Sequence, residues 1–254
     1  MIEIKDLTVK YGKKTVLDRI CLTLSDERFT AILGKNGSGK STLLSCISRQ
    51  IKYSGEIFLD GKNIDTIGQK EYARSVSFLP QSLTKPAVTV KELTEFGRNP
   101  YTGLDGRLST EDNSIIEEAL KTTGMSEFSQ RLLPTLSGGE RQKAYLSMII
   151  AQQANHILLD EPTTYMDICA QEEFIELIAL LKQQKKSPTV VMHDLALAVR
   201  YADDIEIMDS GKIVFFGSKE DCLKKEVIES VFSVKRINAD NNIFFTATKK
   251  VSLK

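Results

Sequence analysis

No stretch of this chain approaches the roughly 20 consecutive apolar residues of a membrane-crossing helix, so any work at a membrane goes through a partner. Charge of neither sign is in excess. The 34 Lys and Arg balance the 34 Asp and Glu, which leaves nucleic-acid binding without compositional support. No two of the four cysteines (Cys21, Cys46, Cys169 and Cys222) form a CxxC pair. That argues against a zinc knuckle or a disulfide framework and for reduced thiols in a cytosolic protein. Internal repeats and low-complexity segments are missing too. The opening Met1-Ile2-Glu3-Ile4-Lys5-Asp6-Leu7 alternates apolar and charged residues and reads as a first strand, not as a signal peptide.

What is there is an ordinary globular composition, 41% hydrophobic and 27% charged over 254 residues, enough for one α/β domain or two small lobes. Ile2 to Val9 and Thr15 to Leu24 alternate like strands of a half-buried antiparallel sheet. Short apolar runs follow at 29–33, 55–59 and 76–79. From about Thr89 to Ala154 the pattern becomes helical (90–96, 111–123, 137–153). Strands then alternate with helices: strand 157–159, helix 171–185, strand 189–192, helix 195–201, strand 205–208. Such alternation implies a largely parallel sheet. A hairpin is expected around Asp209-Ser210-Gly211-Lys212. The tail from Ser218 mixes two short helices with a β-prone 243–246. The organisation expected is an α/β core (1–88 and 155–217) with an N-terminal antiparallel β subdomain, a helical subdomain inserted at 89–154, and a C-terminal extension at 218–254.

Gly34-Lys35-Asn36-Gly37-Ser38-Gly39-Lys40-Ser41 matches G-x-x-x-x-G-K-[ST], with Thr42 next in the first helical turn. Glycines let the backbone curl so that successive N–H groups face phosphate oxygens, and the following helix adds its positive end. Lys40 neutralises the β- and γ-phosphates, and the Ser41 hydroxyl ligates Mg²⁺. By itself this says only that the chain binds a nucleoside triphosphate.

His156-Ile157-Leu158-Leu159-Asp160-Glu161-Pro162 reads as a buried strand ending in two acids. A carboxylate at the end of a core strand beside a phosphate loop holds Mg²⁺, directly or through water, which is the role expected of Asp160. Glu161, next along the strand, points elsewhere and is the candidate general base for the attacking water. His156 reads as a strand-edge residue and not as a ligand.

Leu136-Ser137-Gly138-Gly139-Glu140 opens a helix with a capping box between Ser137 and Glu140. Two glycines just inside a helix are costly, and make sense where a ligand's phosphate approaches bare backbone. Here the chain resembles the ABC ATPase family, whose signature is LSGGQ; Glu140 replaces the final glutamine. The resemblance implies a P-loop NTPase fold and further roles. Tyr11 stacks on adenine, with Val16 as a second contact. Gln81 senses Mg²⁺ and the attacking water. Asp167 lies at a dimer seam, and His193 contacts the γ-phosphate. It also implies ATP sandwiched in a homodimer, with Ser137, Gly138, Gly139 and Glu140 of one subunit completing the other's site.

A single cassette without a membrane domain resembles a prokaryotic importer subunit. Phe96-Gly97-Arg98-Asn99-Pro100-Tyr101 and Gly103-Leu104-Asp105-Gly106-Arg107-Leu108-Ser109 look like a stretch of the ferric siderophore, haem and cobalamin importer ATPases. So does Glu161-Pro162-Thr163-Thr164-Tyr165-Met166-Asp167-Ile168. Lys35 and Met166 depart from residues common in that group. The resemblance implies a peripheral protein on the cytoplasmic face of the membrane. Its partners are integral permease subunits and, indirectly, an extracytoplasmic substrate-binding protein, with a grip on the permease near Tyr101. The other reading is a non-transport ABC ATPase acting on a soluble assembly.

Overall fold

The computed structural model describes residues 1–103, 106–164, 166–239 and 242–248. Leu104 and Asp105 of the importer-like stretch, and Tyr165 before Asp167, lie outside these residues.

Along the chain come β1 (Ile2–Tyr11), β2 (Lys14–Leu24), β3 (Thr30–Gly34), α1 (Lys40–Ile47), β4 (Ser54–Leu59) and β5 (Lys62–Asn63). Next are α2 (Gln69–Ser75), β6 (Val76–Leu79), α3 (Val90–Phe96), α4 (Thr110–Thr122), α5 (Gly138–Ala151), β7 (His156–Asp160) and α6 (Ile168–Gln183). The chain closes with β8 (Ser187–Val191), α7 (Leu195–Tyr201), β9 (Asp204–Asp209), β10 (Lys212–Ser218), α8 (Lys219–Lys224), α9 (Val227–Phe232), β11 (Val234–Ala239) and β12 (Asn242–Ala247). It divides into two compact units, one of 1–65 with 189–254 and one of 66–188.

In the first unit, β1 pairs antiparallel with β2 and β4. Its apolar residues change parity, Ile2 and Ile4 and then Leu7 and Val9, yet all four are buried. A shift of register between Ile4 and Leu7, with Asp6 at φ 49°, absorbs the extra residue. The same happens on β2 between Leu17 and Ile20, where Arg19 has φ 50°. Such bulges keep an irregular apolar pattern on one face. β3 is buried along its whole length and lies parallel to both β8 and β9, while β10 returns antiparallel to β9. A strand covered on both faces carries a continuous apolar run, as Ala31-Ile32-Leu33 does. The hairpin expected at Ser210-Gly211 joins β9 to β10. In the tail, β12 pairs with a strand that the sequence pattern did not reveal, β11.

In the second unit β6 and β7 run parallel, with Leu79 opposite Leu159. His156 opens β7 and is buried there, at 3% exposure. α5 buries Ala144, Tyr145, Leu146 and Ile149 and packs with α3 and α4. α2 escaped the sequence reading because only Tyr72 of its seven residues is buried, so it has no apolar stripe.

The importer-like stretch works as an internal clamp. Arg98, 4% exposed, donates to Asp112 Oδ1 (2.7 Å), the Ala151 carbonyl (2.8 Å) and Gln153 Oε1 (3.0 Å). Its guanidinium stacks 3.9 Å from the centre of the Tyr101 ring, and that of Arg74 sits 5.0 Å away. The Tyr101 hydroxyl donates to the Gln152 carbonyl (3.1 Å). Three helix ends are thus tied together. The Ser109 hydroxyl and N–H, more than Arg98, hold the Asp112 carboxyl below its ordinary range. Tyr101, near which the resemblance implies a grip on the permease, is half-buried.

Candidate nucleotide site

The phosphate loop leaves β3 at Gly34 and enters α1 at Lys40. A side chain at Gly34 would place its Cβ 2.5 Å from the Met208 carbonyl oxygen and 2.6 Å from Ser38 Oγ. At Gly39, with φ 108°, the Cβ would lie 2.6 Å from Leu17 Cδ2. Close approach to backbone therefore demands glycine at 34, and the positive φ demands it at 39. Lys35, Asn36 and Gly37 form the exposed crest, while Ser38, Gly39 and Lys40 are buried and Ser41 and Thr42 half-buried. Lys40 curls back so that Nζ donates to the Gly34 carbonyl (2.8 Å) and the Lys35 carbonyl (3.3 Å). Ser38 Oγ is buried with no hydrogen-bond partner among the described residues. A lysine turned into its own loop beside an orphaned hydroxyl is a cradle suited to an anion.

Two other elements frame the loop. The Gly211 N–H donates to the Ser38 carbonyl (3.0 Å), and the Asp18 N–H donates to the Gly211 carbonyl (2.9 Å). The β9–β10 turn thus pins the loop to β2. Val16, half-buried on β2, has its carbonyl 3.1 Å from the Cβ position of Gly39. Tyr11 ends β1 at 57% exposure, paired with Lys14 at the turn between β1 and β2. His193 lies exposed between β8 and α7, just after Met192, whose N–H donates to the Ile32 carbonyl (3.1 Å). Because β8 and β3 are parallel, His193 leaves the sheet at the end where Gly34 does. Asp194 caps α7 through the Leu197 N–H (2.9 Å).

The second unit brings Gln81 and Glu161 together. They follow the ends of the adjacent strands β6 and β7, and Gln81 Nε2 donates to Glu161 Oε2 at 2.6 Å. Asp160 is the last strand residue and is 4% exposed. Glu161 leaves the strand with φ 47°, a left-handed conformation that costs a non-glycine residue. Its carbonyl accepts from the Thr164 hydroxyl (2.9 Å). The backbone turns out of the strand between the two acids, so strand alternation does not extend to Glu161 as the sequence suggested.

At the start of α5, Ser137 Oγ accepts from the Glu140 N–H (3.3 Å), and Glu140 Oε2 accepts from the Ser137 N–H (2.7 Å). That N–H, with the Ser137 hydroxyl second, holds the Glu140 carboxyl below its ordinary range. The capping box is complete, yet it does not call for glycine. Gly138 is half-buried, and a Cβ on Gly139 would meet nothing within 4 Å. Packing among the described residues therefore does not demand glycine at 139. Asp167 is exposed and caps α6 through the Ala170 N–H (2.9 Å).

Sequence reasoning missed Gln142 and Tyr145, one and two turns into the signature helix. The Tyr145 hydroxyl donates to the Thr84 carbonyl (3.0 Å), and the Thr84 hydroxyl donates to it in return (2.9 Å). Only the spacing of three from Gln142 to Tyr145 on one helix face hinted at this.

The sequence profile of the ABC transporter family matches residues 17–164. The ferric enterobactin transport ATP-binding protein of Escherichia coli K12 is 38% identical over 242 residues, 94% of this chain and 89% of that one. The petrobactin import ATP-binding protein of Bacillus anthracis is 36% identical over 259 residues, 100% of this chain and 95% of that one. A dimeric, post-hydrolysis ATP-binding cassette bound to ADP and Pi superposes with a TM-score of 0.75 at 26% identity, over 86% of this chain and 99% of that one. With a phosphate cradle in one unit, and in the other a glutamine–glutamate pair and a glycine-opened helix, the chain belongs to the ABC transporter family as an ATP-binding ATPase subunit.

Proposed function

We propose that this chain is the ATP-hydrolysing subunit of an importer for an iron chelate, a siderophore or haem ahead of cobalamin. It works as a homodimer on the cytoplasmic face of the membrane, bound to integral permease subunits that a substrate-binding protein supplies from outside. The observation that carries hydrolysis is the 2.6 Å hydrogen bond from Gln81 to Glu161, which sets a carboxylate and a carboxamide at one point. Two relatives, one named for ferric enterobactin transport and one for petrobactin import, support a substrate class rather than one compound.

In this reading Glu161 takes the proton of the attacking water. Gln81 orients that water, Lys40 neutralises phosphate charge, and His193 contacts the γ-phosphate. Tyr11 and Val16 hold adenine. Residues 34–42 bind phosphates, and Ser137, Gly138, Gly139, Glu140 and Asp167 close the partner's site. Mg²⁺ fits the donors Ser41, Gln81 and Asp160, all hard oxygens. Among the described residues no three His, Cys, Asp or Glu gather. Mg²⁺, which takes most of its ligands from phosphate and water, needs only one such carboxylate. When bound it neutralises phosphate charge.

The test compares a deletion strain carrying the wild-type gene with one carrying Glu161→Gln. The amide keeps the shape of the acid but cannot accept the proton. ATP binding is expected to persist, the hydrolysis rate to fall about 100-fold or more, and iron-chelate uptake to stop. Normal uptake of every iron chelate by the deletion strain, with no redundant system present, would refute the iron assignment. Rapid turnover by Glu161→Gln would remove Glu161 from the role of base.

A further inference from the structure

Gln142 presents an unusual burden. It is 5% exposed, and its Oε1 has no hydrogen-bond partner among the described residues. A buried bare carbonyl oxygen is rare, and an alkyl side chain would fill the same volume without the loss. Gln142 lines a cavity of about 520 Å³ together with Gln81, Ser82, Leu83 and Thr164. One turn further along α5, Tyr145 holds Thr84, three residues after Gln81. The helix that starts with the signature therefore grips the loop that carries Gln81.

Gln81 in turn occupies Glu161. Its Nε2–H donates to Glu161 Oε2 at 2.6 Å, on the carboxylate that takes the proton of water in the proposed reading. A carboxylate that already accepts a strong hydrogen bond is a weaker base, so release by Gln81 would raise its basicity. Among the described residues lining the cavity, one buried acceptor, Gln142 Oε1, is bare and can take that N–H.

We propose that Gln142 is a positioning residue: its Oε1 receives the carboxamide N–H of Gln81 when that group leaves Glu161, so that the signature helix frees the general base. This rests on Glu161 being the base. The device is a hand-over of one hydrogen bond inside one unit, with no change in the number made by Gln81.

The experiment measures steady-state ATP hydrolysis and thermal unfolding of the full chain as wild type, Gln142→Met, Gln142→Glu, Gln81→Met, Glu161→Gln and the double variant Gln81→Met/Gln142→Met. Gln142→Met keeps the volume and removes the acceptor. Its kcat is expected to fall about tenfold, the equivalent of one neutral hydrogen bond, with KM for ATP unchanged. Its Tm is expected to hold or rise, because the oxygen it loses has no partner in this state. Gln142→Glu keeps an acceptor oxygen and is expected to retain most of the wild-type kcat. The double variant is expected to be no slower than Gln81→Met alone, since the two act as one step. Wild-type kcat in Gln142→Met, alongside an inactive Glu161→Gln, overturns the proposal and leaves the base in place. A fall of kcat together with Tm, or independent losses in the double variant, also overturns it. Full turnover by Glu161→Gln sinks the underlying reading and the proposal with it.

Discussion

Glu206 on β9 is fully buried, and neither carboxyl oxygen has a hydrogen-bond partner among the described residues. Ile205 and Ile207 flank it along the strand, and Ile32 and Phe216 stand opposite it in register. Burial alone pushes its pKa from 4.5 up to about 8. The folded protein thus keeps Glu206 protonated over a range in which the unfolded chain releases that proton. With the folded pKa above the unfolded one, the folded state binds the extra proton, and stability falls as pH rises from 4.5 to about 8, then levels off. At about 1.4 kcal/mol per pH unit, the loss reaches about 3 kcal/mol at pH 7 and about 5 kcal/mol at pH 8. Glu206→Met keeps the size and removes the titration. Its stability advantage over wild type, from urea unfolding at steps between pH 5 and pH 8.5, is expected to grow by about 1.4 kcal/mol per unit. An advantage that stays constant from pH 5 to pH 8 refutes the reasoning, because it would show that Glu206 has the same pKa folded and unfolded.

Gly139→Ala introduces no clash and improves helix propensity, so the isolated chain is expected to gain up to about 1 kcal/mol in chemical unfolding while its ATPase activity drops. A mixture of Lys40→Ala and Ser137→Arg subunits restores one intact site per mixed dimer if sites are shared, so its hydrolysis rate is expected to exceed that of either parent. Equal rates, with mixed dimers shown to form, would count against sharing. Tyr101→Glu loses the bond to Gln152 and the stacking on Arg98, and its cost in thermal unfolding is expected to be about 2 kcal/mol or more. A Tm equal to wild type would show that the clamp around Arg98 stands without it.

Much of this site was legible because its chemistry is local in sequence. Gly34 to Ser41 carries its own turn, lysine and hydroxyl, and Ser137 and Glu140 cap a helix whatever surrounds them. Pairing of Gln81 with Glu161 was not legible, since 80 residues separate them and the parallel register of β6 and β7 joins them. The depth at which Tyr101 sits was not legible, because the local pattern of an amphipathic residue does not say whether its polar end faces water or a buried carbonyl such as that of Gln152. Nothing in the strand pattern at 205–208 marks Glu206; only the cover on both faces of β9 makes it costly. The bare oxygen of Gln142 has no signature at all in sequence, because it is defined by what fails to reach it.

The curled Lys40 also bears on how fast ATP is captured. Its bonds to the Gly34 and Lys35 carbonyls hold the loop in shape before any phosphate arrives. Arrival of ATP then swaps one set of partners for another, with little backbone left to immobilise. The association step escapes the entropic toll of folding a loop around its ligand. Rapid-mixing traces with a fluorescent ATP analogue are accordingly expected to follow a single concentration-dependent phase, without a slow rearrangement behind it.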